Sequence, residues 1–156
     1  MKVIAEDEIW CDFFYTELTT GLRRGEICGL KWEDFDETNG TLKICRTVYR
    51  EDGGGLTAGD TKTNAGTRKI VLPSSTASLL SKRKALALTE WIFPNPLNPE
   101  QPTNPGSAYR QLKVLLKQAG LPNIRFHDLR HPYVKYRTKN FYFFLLIYFV
   151  LHILPM

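Results

Sequence analysis

Cysteine is scarce in this 156-residue chain: Cys11, Cys28 and Cys45 are widely spaced, with no C-x-x-C pair and no Cys/His cluster. That pattern offers neither a zinc site nor a disulfide framework, and it fits a reducing compartment. A secretory leader is missing too, because Glu6, Asp7 and Glu8 stand where a basic start and an apolar run would be needed. The cytoplasm is therefore the expected location. Long apolar runs are absent until FYFFLLIYFVLHIL at 141–154. That run is shorter than the roughly 20 residues a bilayer-crossing helix requires, so a membrane is not an expected partner. No internal repeat is visible. With 43% hydrophobic, 24% charged and 12% aromatic residues, nothing in the composition favours disorder or a fibrous repeat. The length suits one domain.

What is present is a basic excess. Lys and Arg total 21 against 16 for Asp and Glu, a formal net charge of +5. The segment up to Glu17 is acid-rich, whereas the chain from Arg46 onward is dominated by cations, which favours a basic face toward a polyanion.

Periodicity sketches a mixed architecture. Phe14, Leu18, Leu22, Ile27 and Leu30 recur at helical spacing around a break at Thr19 to Gly21, predicting a helix, a tight turn and a short helix. Residues 41–50 alternate, with Leu42, Ile44 and Val48 on one face, which predicts one strand after the turn-like ETNG. EDGGGLTAGD reads as flexible. TKTNAGTRKIVLP reads as two β-leaning segments around an Asn-Ala-Gly turn, completing a small antiparallel sheet of three strands. Ser74 to Leu88 predicts a helix, the five-proline stretch WIFPNPLNPEQPTNPG a loop, and Ser107 to Ala119 a second helix closed by Gly120 and Pro122. A further helix should open at Asp128.

Three clusters carry side chains suited to a phosphate: TGLRRGE with Arg23, TKTNAGTRK with Lys62, and HDLRH with His127, Arg130 and His131. An arginine fork donates two parallel hydrogen bonds to non-bridging oxygens and stays charged. Taken singly, each has a plainer account. Arg23 and Glu26 at helical spacing make a solvated ion pair, a histidine is usually structural, and Lys62 is an exposed strand lysine.

In order and spacing, TTGLRRGEICGLKWEDFD, TKTNAGTRKIVLP and RFHDLRH resemble three motif boxes of the tyrosine recombinase or phage integrase family, over roughly Phe13 to His131. The resemblance implies an α+β, mainly helical catalytic domain with a small three-stranded antiparallel sheet, its C-terminal part missing. It implies site-specific DNA recombination or integration without metal, cofactor or small-molecule substrate: a tyrosine attacks the scissile phosphate, forming a 3′-phosphotyrosine and freeing a 5′-hydroxyl. Carried over, Arg23 and Arg130 would clamp the phosphate. Lys62 would protonate the departing oxygen. His127 would hydrogen-bond the phosphate, His131 would assist proton transfer or pack beneath, and Glu26 and Asp34 would support. Double-stranded DNA and further recombinase subunits are the implied partners.

The pattern then departs. Pro132 stands where the family commonly has Ser or Thr, and a proline inside that helix costs about 3 kcal/mol. Tyr133, Tyr136, Tyr142 and Tyr148 fall short of the nucleophile's usual position, and His152 lacks the surroundings of the family's next box, so the nucleophile is left unassigned. The expectation is a partial catalytic domain at 1–131 followed by an aberrant basic, then apolar tail at 132–156, catalytically defective alone. Two rivals remain: a non-catalytic remnant that binds DNA or a recombinase, and a basic domain with a membrane-seeking or oligomerising apolar tail.

Overall fold

A computed structural model of the chain describes residues 6–60, 67–118, 120 and 122–130. Helix α1 (Glu6–Thr20) carries the aromatic heart of the core: Trp10, Phe13 and Phe14 are buried on it. Phe13 meets the rings of Phe14, Phe93 and Phe126 edge-on, at centroid distances of 5.3, 5.2 and 6.4 Å. The helix runs through Thr19 and Thr20, whose hydroxyls donate to carbonyls one turn back, and ends only at Gly21, which takes φ +62°. That conformation is nearly free for glycine alone. Leu22 then drops into the core and α2 (Arg24–Cys28) follows at once.

The strand expected at 41–50 is two strands in two sheets. β1 (Phe35–Asp36) pairs with β2 (Thr41–Ile44) across a turn closed by Gly40 at φ +59°, and β2 pairs on its other side with β5 (Arg68–Val71), all antiparallel. β3 (Arg46–Arg50) instead pairs with β4 (Leu56–Asp60), from Arg46 opposite Asp60 to Arg50 opposite Leu56. The break falls at Cys45, and Leu42, Ile44 and Val48 are buried as the alternation requires. A three-stranded sheet is thus present, but β1 fills the place assigned to the first arm of the 61–73 hairpin. The segment read as flexible supplies β4. The Asn-Ala-Gly turn lies outside the described residues.

α3 (Ser74–Lys84) begins after Pro73 and stops short of Leu88. The proline-rich stretch is a hairpin rather than a loop: β6 (Pro94–Asn95) pairs with β7 (Asn98–Pro102). Thr103 pins it, donating from both its N–H and its hydroxyl to the Phe93 carbonyl. α4 (Pro105–Gln118) starts as such a sequence should, with the Asn104 side chain accepting the Gly106 N–H and proline in the first turn. Its Ala108, Leu112, Leu115 and Leu116 face the core. The last described element is a 3-10 helix, Phe126–Arg130; the helix expected from Asp128 otherwise lies outside the described residues. Among the described residues no helix is long and apolar enough to cross a membrane.

Candidate active site

Arg23 lies just outside α2 as its N-cap, in extended geometry (φ −71°, ψ 147°). Its backbone N–H donates to Glu26 Oε2 at 2.8 Å, and its guanidinium Nη1 lies 2.9 Å from Glu26 Oε1. The pair is not the solvated one that spacing alone suggests. Glu26 is only 3% exposed, whereas the Arg23 side chain is 64% exposed. The carboxylate is structural and the arginine faces outward from it.

A third group completes the arrangement. Arg68, at the start of β5, donates from Nη1 and Nη2 to the two Glu26 oxygens at 2.9 and 2.8 Å. Burial by itself would raise the Glu26 pKa, but hydrogen bonds from Arg68 and from the Arg23 backbone and side chain outweigh it and bring it from 4.5 to about 2. Glu26 is thus ionised at neutral pH and both arginines remain anchored. Arg68 was not singled out from the sequence. It is one of three cations in TKTNAGTRK, and no local spacing relates it to Glu26.

Asp34 supports a different joint. Buried at 6% exposure, it accepts the Lys31 N–H at 2.9 Å and the Cys45 thiol at 3.3 Å, and it pairs with Arg46. Arg46 also reaches Glu33 at 2.7 Å and the Gly29 carbonyl at 3.4 Å. This network fastens the turn after α2 to the start of β3. None of these bonds reaches Arg23.

His127 is exposed on the 3-10 helix. Asp128 caps that helix by accepting the Arg125 N–H at 2.9 Å and the Arg125 guanidinium at 3.1 Å, and these bonds hold its carboxyl below the usual aspartate range. Phe126, the first residue of the helix, is buried against Phe13 and Phe14. The Arg24 guanidinium lies 5.8 Å from the Phe126 ring centroid. The N-terminal end of α2, bearing Arg23, is therefore adjacent to the turn that bears His127. Lys62, His131 and the Arg130 side chain lie outside the described residues. The strands on either side of 61–66 are both fixed, Asp60 opposite Arg46 and Arg68 on Glu26. Among the described residues no three His, Cys, Asp or Glu side chains gather as metal ligands.

The family model for the phage integrase family matches residues 10–134. The chain belongs to the phage integrase family. The integrase of prophage phiRv2 from Mycobacterium tuberculosis is 31% identical over 114 residues, 70% of this chain and 30% of that protein. A XerC-like tyrosine recombinase of Caldanaerobacter subterraneus subsp. tengcongensis is 27% identical over 151 residues, 82% of this chain and 37% of its own. This integrase-family chain thus spans about a third of the length of these curated relatives. Among solved structures, the Tn1549 transposon integrase in complex with circular intermediate DNA superposes with a TM-score of 0.67 at 23% identity, over 77% of this chain and 44% of that one. XerA recombinase superposes at 0.55 and 21%, over 84% and 48%. These likenesses establish the fold: the integrase catalytic type, helices with small antiparallel sheets.

Proposed function

We propose that this chain supplies the phosphate-gripping part of a tyrosine-recombinase site, which breaks and rejoins double-stranded DNA through a 3′-phosphotyrosine in site-specific recombination or integration. The observation that carries the reading is the outward-facing Arg23 guanidinium, fixed from behind by a buried, ionised Glu26 that Arg68 also holds. An arginine so tethered meets a phosphate with little further loss of freedom, and its charge is aimed before the transition state forms. Arg130 is its proposed companion clamp, His127 the phosphate's hydrogen-bond donor, Lys62 the acid for the leaving 5′-oxygen, and His131 an assistant in proton transfer. Glu26 and Asp34 support. The nucleophile stays unassigned, and residues 132–156 are proposed not to supply it. We place the protein in the cytoplasm, with DNA and further recombinase subunits as partners and no metal or small-molecule substrate.

The test is a gel shift with salt titration, paired with covalent trapping on nicked duplex DNA. Arg23→Ala should weaken binding roughly tenfold or more, as expected for a charge-assisted contact. It should also reduce the slope of log affinity against log salt by about 0.9. Binding without a covalent adduct is the expected result for the native chain. An adduct lost on Arg130→Ala would overturn the inactivity part of the proposal, and an Arg23→Ala variant that binds as tightly as the native chain would overturn the clamp.

A further inference from the structure

We infer that Arg24 is a positioning residue for this site: its guanidinium, shared between the rings of Tyr109 and Phe126, holds the 3-10 helix carrying His127 against the arm carrying Arg23. The inference rests on the clamp reading above and deepens it. Arg24 Cζ lies 5.9 Å from the Tyr109 ring centroid and 5.8 Å from that of Phe126. Its described partners are thus two aromatic faces rather than a carboxylate. Those faces belong to different elements: Tyr109 to α4, Phe126 to the 3-10 helix. Arg24 itself opens α2, next in the chain to Arg23.

The consequence is geometric. Phe126 cannot move without leaving its places against Phe13 and Phe14, at 6.4 and 6.2 Å. The Arg24 backbone cannot move without shifting α2, whose Gly25 is pressed against Thr47 and Val48 of β3. The residues flanking this stack, Arg23 on one side and His127 on the other, are therefore set at a fixed spacing. Arginine suits the task because its planar, delocalised and weakly hydrated cation spreads over aromatic surface, whereas an ammonium is a compact point charge. Two neighbouring arginines thus divide the work: one faces the phosphate, and the other fixes where its histidine partner stands. A misplacement of about 1 Å between such groups can cost on the order of a hundredfold in rate, so the spacing matters to the chemistry.

A double-mutant cycle on the full chain tests this, with gel-shift affinity for a short random-sequence DNA duplex as the readout and thermal melting as the check on folding. Arg23→Ala, His127→Ala and the pair are made in the native and the Arg24→Leu backgrounds. In the native background two groups that share one phosphate should be coupled, the double loss falling short of the product of the single losses by about fivefold. With Arg24→Leu the losses should multiply to within about twofold. Arg24→Lys should restore the charge without restoring the coupling. Should Arg24→Leu fail to fold, Tyr109→Leu, at a position 39% exposed, carries the same expectation. Coupling that survives in Arg24→Leu or Tyr109→Leu, or that returns in full with lysine, would show that Arg24 is only a surface charge, and the clamp would stand. If neither Arg23→Ala nor His127→Ala changes affinity in the native background, the clamp reading fails and this inference falls with it.

Discussion

Taking a carboxylate out of water costs several kcal/mol unless its lone pairs are met, and Glu26 is met by the Arg23 N–H, by Arg23 Nη1 and by both terminal nitrogens of Arg68. Replacing it with glutamine leaves two guanidinium groups facing a neutral amide. Glu26→Gln should therefore lower the unfolding free energy by about 3 kcal/mol at neutral pH, measured by urea denaturation. The pH dependence has a definite sign. The folded pKa lies below the ordinary one, so the stabilisation is complete above about 4.5 and drains away as pH falls toward about 2. The native chain should lose stability across that window and Glu26→Gln should lose less there. An equally steep acid limb in the variant would assign the effect to other carboxylates. Half of this centre was legible in the sequence, since Arg23 and Glu26 are three residues apart. The other half was not, because Arg68 is 42 positions from Glu26.

Among the elements, the joint between α2 and β3 decides where the Arg23 arm points. A Cβ built on Gly25 would lie 2.4 Å from Thr47 Oγ1 and 2.7 Å from the Val48 carbonyl oxygen. The hydroxyl can rotate away, but the carbonyl belongs to the β3 backbone and cannot. Gly25→Ala should force α2 off the strand, costing about 1–3 kcal/mol in stability by urea denaturation and weakening the proposed DNA binding in the gel shift. Stability unchanged in Gly25→Ala would mean that β3 yields at this point. The glycine was visible in TGLRRGE, but its partner strand was not. Alternation marked 41–50 as extended, and the periodicity of two runs smoothly through Cys45 while the hydrogen-bond partners change. Local pattern records which face is buried and is blind to which neighbour a strand takes. The proline-rich hairpin was hidden for a related reason. Prolines are tolerated where a strand's N–H groups need no ladder partner, as in a short two-stranded hairpin.

At the scale of the whole molecule, one aromatic cluster ties the two ends of the described chain together. Phe13, fully buried on α1, touches Phe93 at the base of the β6–β7 hairpin and Phe126 at the head of the His127 turn. Phe13→Ala should lower stability by about 3–5 kcal/mol in chemical denaturation, with the His127 turn loosened most. Hydrogen exchange would show this as protection lost at residues 126–130 ahead of the β2–β5 pair. Uniform loss across both would mean that the cluster serves the core alone. Fold class was recoverable from the motif boxes and helical spacing because both depend on near neighbours. The meeting of α1 with the His127 turn was not, since ring-on-ring packing across the full length leaves no periodic trace.

The shared carboxylate also bears on the order in which the molecule assembles. Arg23 can close on Glu26 as soon as α2 forms, since the two are three residues apart, whereas Arg68 arrives only with β5. Loop closure over that span must come first, so an intermediate lacking β5 holds Glu26 with a single cation, too few to bury it cheaply. Burial of α2 and docking of β5 are thereby made one cooperative step. An emerging polypeptide would consequently present no finished Arg23–Glu26–Arg68 unit until the second arginine had locked in.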